Sequence, residues 1–303
     1  MESTVHTPVL LQEVIDGLSV QPGDIVVDGT VGGAGHSEEL LKRGGGQIKL
    51  ICLDADAGAL ARARERLASF DQAKIFFIES NFRRLVTVLD ELGVPKINKL
   101  LLDLGLSSDD LAQSGRGFSF QKTDEPLLMT FADPAKEPAL LTAETILNTW
   151  SAETLTTILT GYGEERYAFK IAQAIVEARR GKPFKTVGDL VEVILAATPK
   201  SYHHRKIHPA TKTFQALRIA VNDELGALQE ALEAGWQVLA PGGRIAIISF
   251  HSLEDRIVKR FFQQEKKEGR ADVLTKKPQT ASRAEAISNP RSRSAKLRII
   301  LKK

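Results

Sequence analysis

Three aspartates and one run of glycines carry the chemistry this sequence offers. Asp28 closes the short apolar run Ile25-Val26-Val27, and the chain then breaks into Gly29-Thr30-Val31-Gly32-Gly33-Ala34-Gly35. His36 to Leu41 reads as the first turns of a helix, and the apolar run from Ile48 to Leu53 ends on Asp54. Glycine has no Cβ, so such a turn reaches positive φ and brings its backbone close to a ligand. An acid at the tip of the second strand accepts both hydroxyl protons of a ribose. The turn lacks the GxxxxGKS/T of a P-loop, and Glu38 stands where GxGxxG needs its third glycine. Asp28, Glu38 and Glu39 would repel a pyrophosphate. A cationic adenosine ligand without phosphates fits better, and S-adenosylmethionine is one. A structural βα turn with no ligand satisfies the same spacing.

The elements that must position these groups follow from the apolar pattern. Strands are expected at Ile25–Val27, Ile48–Leu53, Lys74–Ile78 and Ile97–Leu102, with helices at Leu10–Leu18, Asp56–Phe70 and Phe82–Leu92 between them. Four mostly apolar strands in βα steps predict a parallel sheet covered on both faces. Ligands of such sheets sit beyond the carboxyl ends of the strands. Asp28, Asp54, Phe82 and Asp103 all fall there. From about Asp110 to Thr211 the pattern turns helical, with stretches at Ala143–Leu159, Tyr167–Arg180 and Val187–Ala197. This predicts a helical domain over 110–211, inserted into a sheet domain of 1–109 and 212–303. The sheet pattern resumes with a helix over Phe214–Leu239, a turn at Pro241-Gly242-Gly243 and a strand over Arg244–Phe250. A helix over Leu253–Lys266 and a last strand over Lys296–Leu301 follow.

Composition bounds the rest. A 303-residue chain that is 43% apolar and 26% charged has the makeup of an ordinary globular protein. The lone Cys52 lies inside the second apolar run and reads as core, and a single cysteine excludes an internal disulfide. The polar opening from Met1 to Val9 and the lack of a long apolar run predict a cytoplasmic protein with no membrane segment. Charge is uneven. Residues 265–303 hold 12 Lys and Arg against 4 Asp and Glu, so the rest of a chain of net charge +3 is mildly acidic. Such a segment suits a polyanion, or is a solvated tail. Lys200-Ser-Tyr-His-His-Arg-Lys206 is a second basic run with an aromatic, suited to RNA phosphates through His204, Arg205 and Lys206, or to solvent. His203, His204 and His208 cluster without cysteines, and no metal site is expected.

Eight blocks in order resemble the MraW (RsmH) family, methyltransferases of bacterial small-subunit ribosomal RNA. They are His6-Thr-Pro-Val-Leu10, Asp28-Gly-Thr-Val-Gly-Gly-Ala-Gly-His-Ser37, Leu101-Leu-Asp-Leu-Gly-Leu-Ser-Ser108 and Arg116-Gly-Phe-Ser-Phe120. Tyr162-Gly-Glu-Glu165, His208-Pro-Ala-Thr-Lys-Thr-Phe-Gln215, Ser249-Phe-His-Ser-Leu-Glu-Asp255 and Asn289-Pro-Arg-Ser-Arg-Ser294 complete the set. The resemblance implies a Rossmann-like class I methyltransferase sheet domain, an α/β fold, with an inserted all-helical domain that recognises substrate. It implies S-adenosylmethionine as cofactor and the exocyclic amine of a decoding-region cytosine as target. The partner would be 16S ribosomal RNA, free or in the assembled small subunit; a homo-oligomer is compatible with the sequence. Gly33, Ala34, Gly35, His36, Asp54, Phe82, Asp103 and Asp110 fall on cofactor positions, although relatives usually carry Gln or a similar residue at 110.

Asp103 is also the expected catalytic acceptor for the target amine. Many amino-methyltransferases carry a proline pair and an aromatic at this strand tip, but Leu104-Gly105-Leu106 supplies neither. Phe118 and Phe120 are then the candidates to stack on the base, or else they anchor a loop. Leu128 and Thr130 replace an acid and an arginine usual in relatives, which puts the substrate contacts of that segment in question. His251 either faces the pocket or caps the next helix, and Arg291 and Arg293 are the expected RNA contacts of the basic segment. Two rival readings are a small-molecule methyltransferase on the same fold and a non-catalytic RNA-binding protein.

Overall fold

The first half of the sheet forms where the apolar runs predict it. In a computed structural model that describes residues 8–70, 73–104, 114–132 and 139–303, helix α1 (Leu11–Leu18) buries Val14, Ile15 and Leu18 along one stripe. The βα steps follow: β1 (Ile25–Asp28), α2 (Gly35–Arg43), β2 (Lys49–Asp54), α3 (Ala57–Arg66), β3 (Lys74–Glu79), a 3-10 turn at Phe82–Arg84, α4 (Leu85–Glu91) and β4 (Ile97–Asp103). Next come six helices among the described residues: α5 (Ala143–Thr149), α6 (Ala152–Gly161), α7 (Ala168–Gly181), α8 (Val187–Ala197), α9 (Lys200–His203) and α10 (Ala210–Asn222). The chain closes with α11 (Glu224–Val238), β5 (Leu239–Ser249), α12 (Ser252–Lys267), β6 (Ala271–Val273), α13 (Arg283–Ser288) and β7 (Lys296–Lys302).

Two compact units result, Met1–Ser107 with Leu225–Lys303, and Ser108–Glu224. The first holds a seven-stranded sheet in the order β3-β2-β1-β4-β5-β7-β6. β1 to β5 are parallel, whereas β7 runs antiparallel to both β5 and β6. Period-two alternation splits the apolar side chains cleanly. Val26, Leu50, Cys52, Leu101, Ala246 and Ile248 join the core beneath α1, α2 and α3. Val27, Ile51, Leu53, Leu100, Leu102, Ile245 and Ile247 join the core on the other face with α4, α11 and α12. The second unit packs its helices around a core of its own, including Ile146, Leu155, Ile171, Leu190 and Leu217. No helix among the described residues is long and apolar enough to cross a membrane.

Several expectations need correction. The helical unit runs to Glu224 rather than 211, because α10 places Ala210, Phe214 and Leu217 in that unit's core. The stretch Ala143–Leu159 is two helices. Trp150 is extended (ψ 150°), and the Ser151 hydroxyl caps the second helix by accepting from the Thr154 N–H. The stretch Phe214–Leu239 is likewise broken, at Asp223, whose left-handed φ of 47° ends α10. Pro241-Gly242-Gly243 does not precede β5 but bulges within it. The pairing slips from Ile97–Leu239 to Lys99–Arg244, and Gly242 takes φ 78° at the bulge. The basic C-terminal segment is folded, and some of its charge is spent on structure. Arg298 pairs with Asp255 at 2.6 Å, and the Lys302 ammonium donates to the Trp236 and Leu239 carbonyls at 2.6 and 2.9 Å.

Candidate active site

The tips of β1, β2 and β4 hold Asp28, Asp54 and Asp103 at the carboxyl ends of neighbouring parallel strands. The glycine turn is sewn to these tips. Gly29 N–H donates to the Leu101 carbonyl at 2.9 Å, and Val31 N–H to the Leu53 carbonyl at 3.0 Å. The Asp103 N–H donates to the Thr30 hydroxyl at 2.7 Å. Gly29 is required by close approach, since a Cβ there would lie 2.4 Å from Leu102 Cδ2 and 3.3 Å from Phe82 Cβ. Ala34 takes a left-handed φ of 58° to start α2. The Arg66 guanidinium closes the back of the turn, donating to the Gly33 carbonyl at 3.1 Å and to Glu38 at 2.6 Å. Hydrogen bonds from Lys42 and Arg66 also hold the Glu38 carboxyl below its ordinary range. The repulsion expected of Glu38 is thus largely spent within the protein.

Asp54 accepts the Gly32 N–H on one oxygen at 3.0 Å and the Asp56 N–H on the other at 2.9 Å. An ionised carboxylate has about four lone-pair sites, so two remain for a ribose diol. Burial pushes Asp54 up to about 6, against the lowering effect of the Asp56 and Gly32 N–H groups. Asp28 is buried, accepts the Ser37 hydroxyl at 2.7 Å and the Thr30 N–H at 3.2 Å, and is likewise pushed by burial up to about 6. Phe82 opens the 3-10 turn after β3 and is half-buried against the core. His36 turns its ring inward, with Nε2 2.9 Å from the Val9 carbonyl and Nδ1 3.8 Å from Asp103 Oδ2. Cys52 is fully buried, and burial pushes its thiol far up, which suits core packing rather than nucleophilic attack.

The state of Asp28 makes a testable statement about stability. Its folded-state value lies above the ordinary 3.8, so the folded protein keeps a proton that the unfolded chain loses as pH rises. The destabilisation is absent below about pH 4 and complete above about pH 6, reaching about 3 kcal/mol. Asp28→Asn removes this charge and keeps the shape. Urea unfolding should therefore show the variant gaining on the native protein between pH 4.5 and 7.5. A difference that stays flat across that range would mean the carboxyl titrates as it does in the open chain.

The remaining sequence-predicted residues divide. Asp110 lies outside the described residues. Phe118 stacks on Phe131 with ring centroids 5.7 Å apart, and Phe120 stacks on His208 at 4.5 Å. Both are partly buried against the helical unit's core, so each already has the packing role of a loop anchor. In the replaced segment, the Thr130 hydroxyl donates to the Ala132 carbonyl at 3.0 Å and Arg116 donates to the Phe131 carbonyl at 2.6 Å. His204, Arg205 and Lys206 are exposed, with Arg205 over the Tyr202 ring at 5.3 Å. Burial and Glu165 push the Tyr202 phenol up to about 12. Of the three clustered histidines, His203 meets the Thr198 hydroxyl at 2.9 Å and His208 stacks on Phe120, while His204 is exposed.

His251 takes the capping role. Its Nδ1 accepts the Glu254 N–H at 3.4 Å, and Glu254 Oε2 returns to the Phe250 and His251 N–H groups at 2.8 and 3.2 Å. Its Ser249-to-Asp255 block thus encodes a helix start. Arg293 is exposed and donates to the Ala286 carbonyl at 2.9 Å, and Arg291 is half-exposed. Sequence reasoning missed Arg66 and Ser37 as supports of the turn. Only the i, i+4 spacing of Glu38 and Lys42 hinted that the acid was neutralised.

A sheet of this order, with antiparallel β7 between β5 and β6 and acids on the parallel tips, defines a Rossmann-like methyltransferase. The sequence profile of the MraW methylase family matches residues 3–303, and the chain belongs to that family. Its methyl donor is S-adenosylmethionine, a group that the free lone pairs of Asp54 and the glycine turn fit. Among its relatives is a protein named ribosomal RNA small subunit methyltransferase H from Symbiobacterium thermophilum, 46% identical over 98% of this chain and 96% of the relative. Proteins of the same name from Heliobacterium mobile and Deinococcus deserti are 47% and 45% identical, over 98% of this chain and 98% and 93% of theirs.

Proposed function

We propose that this protein methylates the exocyclic amine of a cytosine in the decoding region of bacterial small-subunit ribosomal RNA. The observation that carries the reading is the set of three carboxylates on adjacent strand tips in a chain of the MraW methylase family. The names of the relatives support ribosomal RNA as substrate. When bound, the cofactor supplies a methyl group made electrophilic by its sulfonium charge. Asp54 receives the ribose hydroxyls, Phe82 flanks the adenine, and the backbone from Gly33 to His36 lines the turn. Placing the amine in line with the methyl is most of the task in such a displacement. A cytosine amine is a poor nucleophile because its lone pair is delocalised into the ring. Asp103 orients it by accepting its protons and offsets the positive charge that grows on nitrogen.

The helical unit and the C-terminal basic segment supply RNA contacts in this reading, through His204, Arg205, Lys206, Arg291 and Arg293. Replacing Arg291 and Arg293 with Glu should weaken RNA binding and lower the slope of log affinity against log salt by about 1.5 to 2. Cofactor affinity should stay within about twofold, because these arginines are assigned to the RNA and not to the cofactor in this reading. An unchanged salt slope would assign both to folding or solvent. The function itself is tested by mapping methylated cytosines in small-subunit RNA from cells with and without the protein. An identical map, together with no methyl transfer to undermodified subunits by the purified protein, would overturn it.

A further inference from the structure

Among the described residues, the large apolar side chains that stand well out in solvent are Phe169, Ile207, Leu274 and Ile287. Phe169 and Ile207 belong to two segments of the helical unit that are tied together, residues 162–170 and 200–215. The Tyr202 hydroxyl lies 2.9 and 3.1 Å from the two oxygens of Glu165, and the Tyr202 and Tyr167 rings meet edge to face at 4.9 Å. The Lys212 ammonium donates to the Glu164 carbonyl at 2.6 Å, and the Gln215 amide to the Tyr162 carbonyl at 2.9 Å. The blocks Tyr162–Glu165 and His208–Gln215 thus hold α9 and the loop after it against the start of α7.

The surface so formed is basic. Arg166, Lys170, Lys200, Arg205 and Lys206 are exposed, whereas the acids of the two segments are Glu164 and Glu165, and Glu165 is buried and bound by Tyr202. Arg205 lies over the Tyr202 ring at 5.3 Å and Arg166 over Tyr167 at 5.8 Å, so two of the cations are held in place. Helix α7 buries Ala168, Ile171, Ala172 and Ile175, which leaves Phe169 and Lys170 on its solvent side. At 61% exposure the Phe169 ring forgoes the burial an aromatic ordinarily takes. An exposed ring among cations suits a single nucleic-acid strand, whose bases stack on the ring while its phosphates meet the charges. A duplex keeps its bases stacked on one another and has none to offer.

We propose that this face of the helical unit holds unpaired RNA, with Phe169 stacking on a base and Arg166, Lys170, Arg205 and Lys206 meeting the phosphates. The inference rests on RNA as the substrate. It adds the form of RNA that the unit takes, a single strand with a base turned out, and the side chain that selects it.

The probe is a fluorescein-labelled oligoribonucleotide of about 12 nucleotides, read by anisotropy with the full chain, alone and annealed to its complement. Phe169→Ala should weaken binding of the single strand by about tenfold or more and change duplex binding by less than about twofold. Phe169→Trp should keep or tighten the single strand. Phe169→Leu should behave as Ala does, because leucine offers apolar area without a π face. The slope of log affinity against log salt should be the same for the native protein and Phe169→Ala, and should fall by about 0.7 for Lys170→Gln. The ring is exposed, so an unchanged urea midpoint should accompany its loss. Full rescue by Leu, or equal losses on strand and duplex, overturns the proposal, as does a native protein that binds neither form. An Ala variant that binds as the native protein does also overturns it and leaves the ring to a protein partner. Failure of the functional reading looks different: no methyl transfer to undermodified subunits by a protein that still binds the strand through Phe169.

Discussion

Asp103→Asn is expected to lower the single-turnover methylation rate by about two orders of magnitude, the scale of one lost preorganised transition-state contact. The substitution keeps size and shape. It exchanges one acceptor oxygen for an amide that points protons at the amine it should receive. The backbone should not move, because the Asp103 N–H is bound to Thr30 and β4 is paired with both β1 and β5. Cofactor affinity should change far less than the rate. If Asp103 served only the cofactor, affinity and rate at low cofactor would fall together, and excess cofactor would restore the rate. A single-turnover titration separates the two outcomes, and full rescue would remove Asp103 from the chemical step.

The second large effect concerns Asp54. Asp54→Ala should weaken S-adenosylmethionine by about 1–3 kcal/mol, the cost of leaving ribose hydroxyls unpaired in a buried site. Alanine also releases the Gly32 and Asp56 N–H groups, so Asp54→Asn, which keeps one acceptor, should lose less. Affinity should further depend on pH. Burial raises Asp54 to about 6, and only the ionised form accepts two hydroxyls, so binding is full above that value and fails as pH falls through it. Between pH 7 and pH 5 the loss should be about tenfold from this group. Asp28, also at about 6, adds to the slope, so the Ala variant should keep part of it. Calorimetry across this range gives both numbers, and a native affinity independent of pH would place the ribose elsewhere.

The strand tips were readable because each rests on a local signal, a short apolar run ending in Asp28, Asp54 or Asp103. The same signal gave β1 to β4 within a residue or so. It failed where local preference yields to packing. Ala271–Val273 is a three-residue strand in a basic stretch, visible only once β7 lies beside it. Asp223 looks like any helical surface residue until its left-handed turn separates two helices. The supports of the site were the least readable part. Arg66 reaches Gly33 across 33 residues and His36 reaches Val9 across 27, and no periodicity records either. Phe118 and Phe120 show the converse. Their motif suggested a stacking platform or a loop anchor, and their ring neighbours are Phe131, His208 and Phe214.

The pairing of β4 with β5 has a kinetic meaning. The strands are neighbours in the sheet, yet β4 ends at Asp103 and β5 begins at Leu239. Closing so long a flexible loop costs about 4 kcal/mol in chain entropy before any contact between the strands repays it. The helices between them need no such closure, since α6, α7 and α8 pack on their sequence neighbours. Contacts that are local in sequence form quickly, and distant parallel pairing forms slowly. The helical unit is therefore expected to fold early, and the central strand pair, with Asp103 at its end, to be completed late. A chain caught between these stages would hold β3-β2-β1-β4, with β4 as an edge that the finished sheet covers with β5. That edge is an invitation to pair with another chain. The speed at which the helical unit folds would then set how long that edge stays open.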